Sequence, residues 1–225
     1  MKYTSLLIDI DDTLLDFSAA EKSAVSGVLK NNDLPFDDDT VTLYSRINLE
    51  FWKSFERGDI LREEIFEGRF KKLLSIIGKT GDTKKIADEY FFALANEHQL
   101  MQGATDILDY LSKKGYKLYA ATNGLSKTQF KRIREADIEK YFDDIFVSES
   151  VGFQKPQAEY YNYIVENIAE KDKSKILIIG DSQSSDILGG KNAFIDTCFF
   201  NLEGKENKYG AKFEIQSLAQ LKTIL

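Results

Sequence analysis

Cysteine, histidine, tryptophan and proline are scarce: the 225 residues include one Cys, one His, one Trp and two Pro. A lone Cys198 excludes an internal disulfide, and one thiol with one histidine cannot build a structural zinc site. Cys198 lies in Asp196-Thr197-Cys198-Phe199-Phe200, which reads as a buried strand, so the thiol is expected in the core. His98 is placed in a helical segment, at the surface or a hinge. With these two set aside, neither a Ser-His-Asp hydrolase nor a Cys-His protease has its parts. Long apolar runs are missing as well, none approaching the roughly 20 residues that span a bilayer. The start, Met1-Lys2-Tyr3-Thr4, leads into a short apolar strand without a cleavage-site pattern. A soluble, cytoplasmic protein with no membrane partner is expected. Positive charge is in deficit, 30 basic against 37 acidic side chains, for a net charge of −7. Repulsion opposes the approach of a polyanion, so nucleic acid is not expected as a partner. A small phosphorylated ligand remains allowed, since one Lys and a few backbone amides make a local positive site. Any catalysis falls to carboxylates.

What is present is globular: 43% hydrophobic and 30% charged residues, in a chain long enough for one domain with an insertion. Leu6–Ile10, Lys117–Thr122 and Lys175–Gly180 are nearly continuous apolar runs, which suits strands of a parallel sheet covered on both faces. Ile145–Ser148 and Thr197–Phe200 are further strands. Helical stretches separate them at Ala104–Lys114, Thr128–Ala136, Tyr160–Ala169 and Ser185–Ala193. This alternation indicates right-handed βαβ units and an α/β, doubly wound, Rossmann-like sheet. The interval 18–100 breaks the pattern. There Val41, Tyr44, Ile47, Phe51 and Phe55 share one helical face, as do Phe66, Phe70, Leu73 and Ile77, and Ile86, Tyr90 and Leu94. These stripes are expected to form the core of an all-helical insertion, with Asp37-Asp38-Asp39 as a solvated turn capping a helix. The core domain is expected at 1–17 and 101–225.

The chemistry-bearing residues fall where strands stop. Asp9 and Asp11 are expected on one face at the end of the first strand. Gly180-Asp181, followed by Asp186, supplies a third carboxylate at an equivalent strand end. Carboxylates that converge repel, and they suit Mg²⁺, a hard ion that favours oxygen ligands. Thr122-Asn123-Gly124 offers a hydroxyl and backbone amides before a helix, where an anion is favoured. Lys155-Pro156 brings a point charge on a fixed backbone. An EF-hand reading of Asp9-Ile10-Asp11-Asp12-Thr13 fails, because its glycine position holds Leu14 and its last-ligand position Ala20. A P-loop fails at Gly78-Lys79-Thr80, where the earlier glycine position is Leu73. No Gly-x-Gly-x-x-Gly follows the first strand. The set describes a phosphoryl-transfer site.

In this order the four segments resemble the haloacid dehalogenase (HAD) superfamily of aspartate-nucleophile phosphatases across essentially the whole chain, the insertion being similar to that family's helical C1-type cap. The resemblance implies that Asp9 is the nucleophile that forms an aspartyl-phosphate and that Asp11 is the general acid and base. It implies Mg²⁺ as cofactor, held by the Asp9 carboxylate, the Asp11 backbone carbonyl and Asp181, with Asp186 supporting from behind. Thr122, Asn123, Gly124 and Lys155 would hold the transferring phosphoryl oxygens. A carboxylate at Asp11 favours phosphate esters over the superfamily's dehalogenases, and the P-type pumps need membrane helices.

Asn48, Trp52, Gly58-Asp59-Ile60, Arg69-Phe70, Asp181 with Ser185–Gly190, and Asn192-Ala193 look like the noncanonical pyrimidine 5′-nucleotidase branch. That implies a nucleoside monophosphate substrate, with Phe17 and Trp52 as candidate cap residues to stack on the base and Arg69 to reach a base carbonyl or the phosphate; Trp52 in the bundle core and Arg69 in an ion pair to the sheet domain are the alternatives. Phe194 departs from the branch, which carries glycine there, and is expected to affect packing more than chemistry. A phosphatase of sugar phosphates or other small metabolites would share fold and chemistry. A phospho-accepting receiver module would instead carry its Asp after a middle strand and lack the large insertion. A monomer or weak homodimer is expected.

Overall fold

A computed structural model describes residues 2–225, which form two compact units. One runs up to Asp16 and resumes over His98–Leu225; the other is the contiguous segment Phe17–Glu97. The first unit is built on six parallel strands: β1 (Ser5–Ile8), β2 (Lys117–Thr122), β3 (Asp144–Val147), β4 (Ile176–Gly180), β5 (Asp196–Phe200) and β6 (Phe213–Ile215). Their order is β3-β2-β1-β4-β5-β6. The chain winds from β1 to one side, then crosses to β4 on the other. The switch point of the sheet therefore lies between β1 and β4, where open α/β sheets bind ligands.

Phe17–Glu97 is helical throughout its regular structure: α1 (Phe17–Asn31), α2 (Asp38–Arg57), α3 (Arg62–Ile76) and α4 (Thr83–Leu94). Most of the expected stripe residues pack together, while Phe55 and Phe66 stand outside the cluster, against Trp52 and Phe91. Val41, Tyr44, Ile47, Phe70, Leu73, Ile86, Tyr90 and Leu94 share one buried cluster with Ala24, Val25 and Val28 of α1, and Phe51 and Ile77 sit at its edge. The Tyr44 and Phe70 rings stack at 5.1 Å, and each meets Tyr90, at 5.5 and 5.7 Å. Asp37 caps α2 by accepting from the Thr40 amide at 2.9 Å, which holds its carboxyl below the usual range. Asp38 and Asp39 occupy the first turn, where negative charge complements the helix dipole.

Two helical layers cover the sheet: α5 (Ala104–Lys113) and α6 (Ser126–Glu135) on one face, α8 (Ala158–Asn167) and α9 (Leu188–Ala193) on the other, with short α7 (Ser148–Val151) and α10 (Leu221–Ile224) in connections. Successive residues of each strand serve opposite layers. Leu6, Ile8, Leu118, Leu177 and Ile179 pack with Ile107, Leu108 and Leu111 of α5, whereas Leu7, Tyr119, Ile176 and Ile178 pack with Tyr160, Tyr161 and Ile164 of α8. Burial on both faces is why these strands read as unbroken apolar runs. Cys198 sits fully buried in β5, and burial pushes its thiol up to about 12.

Three expectations are corrected. β1 ends at Ile8 rather than Ile10, although Asp9 still donates its amide to Ile179 O at 2.9 Å. Beyond it the chain turns tightly: Ile10 O accepts from the amides of Thr13, Leu14 and Leu15, and Asp12 adopts a left-handed backbone (φ 55°). His98 is not helical. It lies in an extended stretch after α4, where Gln99 O accepts from the Asp16 amide, and its Nδ1 is 3.7 Å from Glu135 Oε2. The helix expected over Ser185–Ala193 divides into a wide π-type turn, Gln183–Ile187, and α9. Among the described residues no helix is long and apolar enough to cross a membrane.

Candidate active site

The carboxyl ends of β1, β2 and β4 bring the sequence-predicted residues of the sheet unit together. Asp9 follows β1, Thr122 ends β2, and Asp181 follows β4. Carboxylate oxygens of Asp9, Asp181 and Asp186 all lie within 4.8 Å of one another. Lys155 stands among them: its Nζ donates to Asp9 Oδ1 at 2.5 Å, to Asp186 Oδ1 at 2.7 Å and to Ala121 O at 3.0 Å. An ammonium has three N–H donors, so all of Lys155's are engaged. A phosphoryl oxygen can reach this nitrogen only by replacing one of those partners. Thr13 Oγ1 lies 3.3 Å from Asp9 Oδ2 and 3.4 Å from Asp181 Oδ1, linking two of the carboxylates.

Local backbone explains how these groups converge. Asn123 grips the Lys155 backbone from both sides, Nδ2 donating to Lys155 O and Oδ1 accepting from Lys155 N, each at 2.9 Å. Lys155-Pro156 is a cis peptide. The wide turn over Gln183–Ile187 returns Asp186 toward β4, and Ser182 N donates to its Oδ2 at 3.1 Å. Gly180 leaves the space for this: a Cβ there would stand 2.3 Å from Asp186 Cγ. The Gly124 amide, expected to face an anion, donates to Thr122 Oγ1 at 3.2 Å.

Electrostatically the site is out of balance. Burial raises the Asp9 carboxyl from its ordinary 3.8 to about 7; Lys155 opposes the shift, while Asp186 and Asp11 add to it. Burial likewise drives Asp181 well up, reinforced by Asp9 and Asp186. For Lys155, burial alone would lower the ammonium, but Asp186 and Asp9 outweigh it and hold it well above its usual range. Three carboxylates thus face one ammonium. With all of them ionised the excess is two negative charges, the complement of a divalent cation, and the donors are the hard oxygens that Mg²⁺ prefers. The residues present fit such an ion. The Asp11 carboxylate is not in this group; it turns to α6, where Arg132 pairs with it.

Sequence reasoning missed Gln129 and Arg132, both 1% exposed, which reach Asp11 from α6. The available signal was their spacing of three, which puts them on one helical face. The candidate contacts of the helical unit are distributed differently. Arg69 is 1% exposed inside that unit, its guanidinium carbon 4.4 Å from the Tyr90 ring centre, with Nη1 donating to Asn48 Oδ1 at 2.7 Å. Asn48 in turn donates to Glu21 Oε1 at 2.6 Å. Trp52 is half-buried, edge-on to Phe55, and Phe17 packs at the rim of the helical core.

The model of haloacid dehalogenase-like hydrolases matches residues 3–193. The chain is 41% identical to a Bacillus subtilis protein named as an HAD-hydrolase, YfnB, over 100% of this chain and 96% of that one. It is 40% identical to the pyrimidine 5′-nucleotidase PynA of Streptococcus pneumoniae, over 98% and 94% of the two chains. At 27% identity it matches the pyrimidine 5′-nucleotidase YjjG of Escherichia coli, over 100% and 99%. The crystal structure of YfnB bound to magnesium superimposes with a TM-score of 0.95, at 40% identity over 100% of this chain and 99% of that one.

Proposed function

Because the chain belongs to the haloacid dehalogenase-like hydrolases, we propose that it hydrolyses phosphate monoesters at Asp9 and that its preferred substrates are pyrimidine nucleoside 5′-monophosphates. The observation that carries the chemistry is the group of three carboxylates at the sheet's switch point, Asp9 and Asp186 buried and paired with the ammonium of Lys155 and Asp181 half-buried beside them. A carboxylate at Asp9 attacks phosphorus. The new Asp9 O–P bond forms as the ester P–O bond breaks, and the departing oxygen takes a proton from Asp11. Water then attacks the same phosphorus and gives its proton to Asp11. The Asp9 O–P bond breaks, releasing phosphate and restoring both side chains. Thr122 and Lys155, with the Asn123-Gly124 backbone beside them, hold the phosphoryl oxygens, where negative charge concentrates. The Asp9 and Asp181 carboxylates and the Asp11 backbone carbonyl would hold Mg²⁺, with Asp186 behind them, and the ion supplies positive charge against that of the phosphate.

Support for the nucleotide comes from the relatives: PynA and YjjG are pyrimidine 5′-nucleotidases that match nearly the whole chain. The test is phosphate release in millimolar Mg²⁺, with kcat/KM compared for UMP, dUMP, dTMP, purine monophosphates, hexose phosphates and p-nitrophenyl phosphate. A pyrimidine monophosphate is expected to lead. A hexose phosphate ahead by about tenfold would overturn the nucleotide reading alone, and no release from any monoester would overturn the phosphatase.

A further inference from the structure

Helix α6 sends two buried polar side chains toward the turn after β1. Arg132 Nη1 forms an ion pair with Asp11 Oδ1 and donates to Gln129 Oε1 at 3.2 Å. The second contact decides which end of the Gln129 amide points where. Gln129 Nε2 then donates to Asp11 Oδ2 at 2.8 Å and to Thr122 Oγ1 at 2.7 Å. Gly124 makes room for the crossing, since a Cβ there would stand 2.6 Å from Gln129 Cγ.

We propose that Arg132 and Gln129 are positioning residues that hold the proton-transfer carboxylate of Asp11 and tie it to the phosphoryl-binding hydroxyl of Thr122. This rests on the phosphatase reading and deepens it. Both Asp11 oxygens accept hydrogen bonds from α6, which turns the carboxyl toward that helix, and to meet a leaving oxygen Asp11 gives up one of the two contacts. The contact to the guanidinium joins two opposite charges and is the stronger; the contact to a neutral amide is the one that gives way. Oδ1 on Arg132 is therefore the pivot, and Oδ2 swings between Gln129 and the reacting oxygens. The Asp11 side chain is 29% exposed while Arg132 is 1% exposed, so the pivot is anchored in the core and the carboxyl it holds borders solvent. At Thr122, Oγ1 accepts from Gln129 Nε2 and from the Gly124 amide, which leaves its hydroxyl proton to be donated to a phosphoryl oxygen. One amide NH₂ serves both groups, so phosphate seated on Thr122 and release of Asp11 are felt at the same side chain.

The experiment compares Arg132→Met, Arg132→Lys and Gln129→Met in the full chain, reading kcat/KM for a pyrimidine nucleoside 5′-monophosphate and for p-nitrophenyl phosphate. A ribose alkoxide must be protonated as it departs, whereas p-nitrophenolate leaves as a stable anion. Since kcat/KM reports events up to that departure, the later water step does not blur the comparison. Arg132→Met is expected to lose about 10²-fold on the nucleotide, and at least about tenfold less on the aryl ester. Arg132→Lys, which keeps a charged donor near Oδ1, regains part of the nucleotide rate. Gln129→Met raises KM for both substrates through Thr122 and adds a smaller loss confined to the nucleotide. Equal losses on both substrates, or none, in an enzyme whose unmutated form is active, would overturn the proposal alone. Inactivity of the unmutated chain on both would overturn the phosphatase reading and the proposal with it. Should circular dichroism show Arg132→Met unfolded, the same criterion is applied to the other two variants and decides.

Discussion

Burial makes Asp9 a different acid from an aspartate in water. Its carboxyl is raised to about 7, and Asp181 moves in the same direction. A carboxyl that binds its proton more tightly in the fold than in the unfolded chain destabilises the fold wherever it must ionise. That cost is full above about pH 7 and disappears as pH falls toward the ordinary 3.8. A bound divalent cation should therefore matter most on the alkaline side. At a concentration about a hundredfold over its Kd, Mg²⁺ contributes about 2.7 kcal/mol, or about 5–10 °C of Tm for a chain of this size. The shift in Tm on adding Mg²⁺ to chelator-treated protein is expected to be larger at about pH 8 than at about pH 5.5. An equal shift at both would remove the buried charge excess from the account. Asp9→Asn replaces the proposed nucleophile with a neutral group of the same shape. It is expected to drop turnover to background in a phosphate-release assay, yet to raise the Tm of metal-free protein near pH 8 because one of the crowded charges is gone. Near-normal turnover would exclude Asp9 as nucleophile. The segments that meet at this site were legible because phosphoryl chemistry needs acidic and amide groups at strand ends, positions the sequence marks by ending an apolar run. Arg132 was not, since a charged residue in a helix reads as a solvated one; its spacing of three from Gln129 marks a shared face, and the fold shows that this face is buried.

At the scale of elements, the turn Gln183–Ile187 and helix α9 show how local geometry serves the site. One extra residue in the turn widens it, and such π-type turns recur where a side chain must be re-aimed; here the side chain is Asp186. Periodicity could not show this, because the turn holds a single apolar residue, Ile187, and so has no apolar pattern of its own. Helix α9 ends at Phe194, whose backbone is left-handed at φ 59° and whose side chain is 87% exposed. The expectation of a packing role is corrected: the ring covers little, and the effect of the residue is on the backbone. A non-glycine residue in this conformation costs about 1–2 kcal/mol, and glycine returns about 0.5–1 kcal/mol of that as unfolded-chain entropy. Phe194→Gly should therefore stabilise by about 0.5 kcal/mol, seen as a higher denaturation midpoint at unchanged m-value. A lower midpoint would mean that the ring makes contacts its exposure conceals.

For the molecule as a whole, five of the six strands stood out as apolar runs because both their faces are covered. Phe213–Ile215 did not, being three residues long with Glu214 exposed in the middle. The central place of β1 was not readable from the chain, since strand order depends on which way each crossover turns. That placement constrains how the protein is made. Leu6 pairs with Leu118 on one side and with Leu177 on the other, so β1 waits for the fourth of the six strands before both its edges are flanked. The segment Phe17–Glu97 has no such debt; its four helices pack with one another from contiguous sequence. A growing chain therefore carries β1 with its β2 edge coverable once Thr122 has been made, but with its β4 edge open until Gly180 has emerged. During that interval Ser5–Ile8 is the stretch of the chain that a chaperone has most reason to cover.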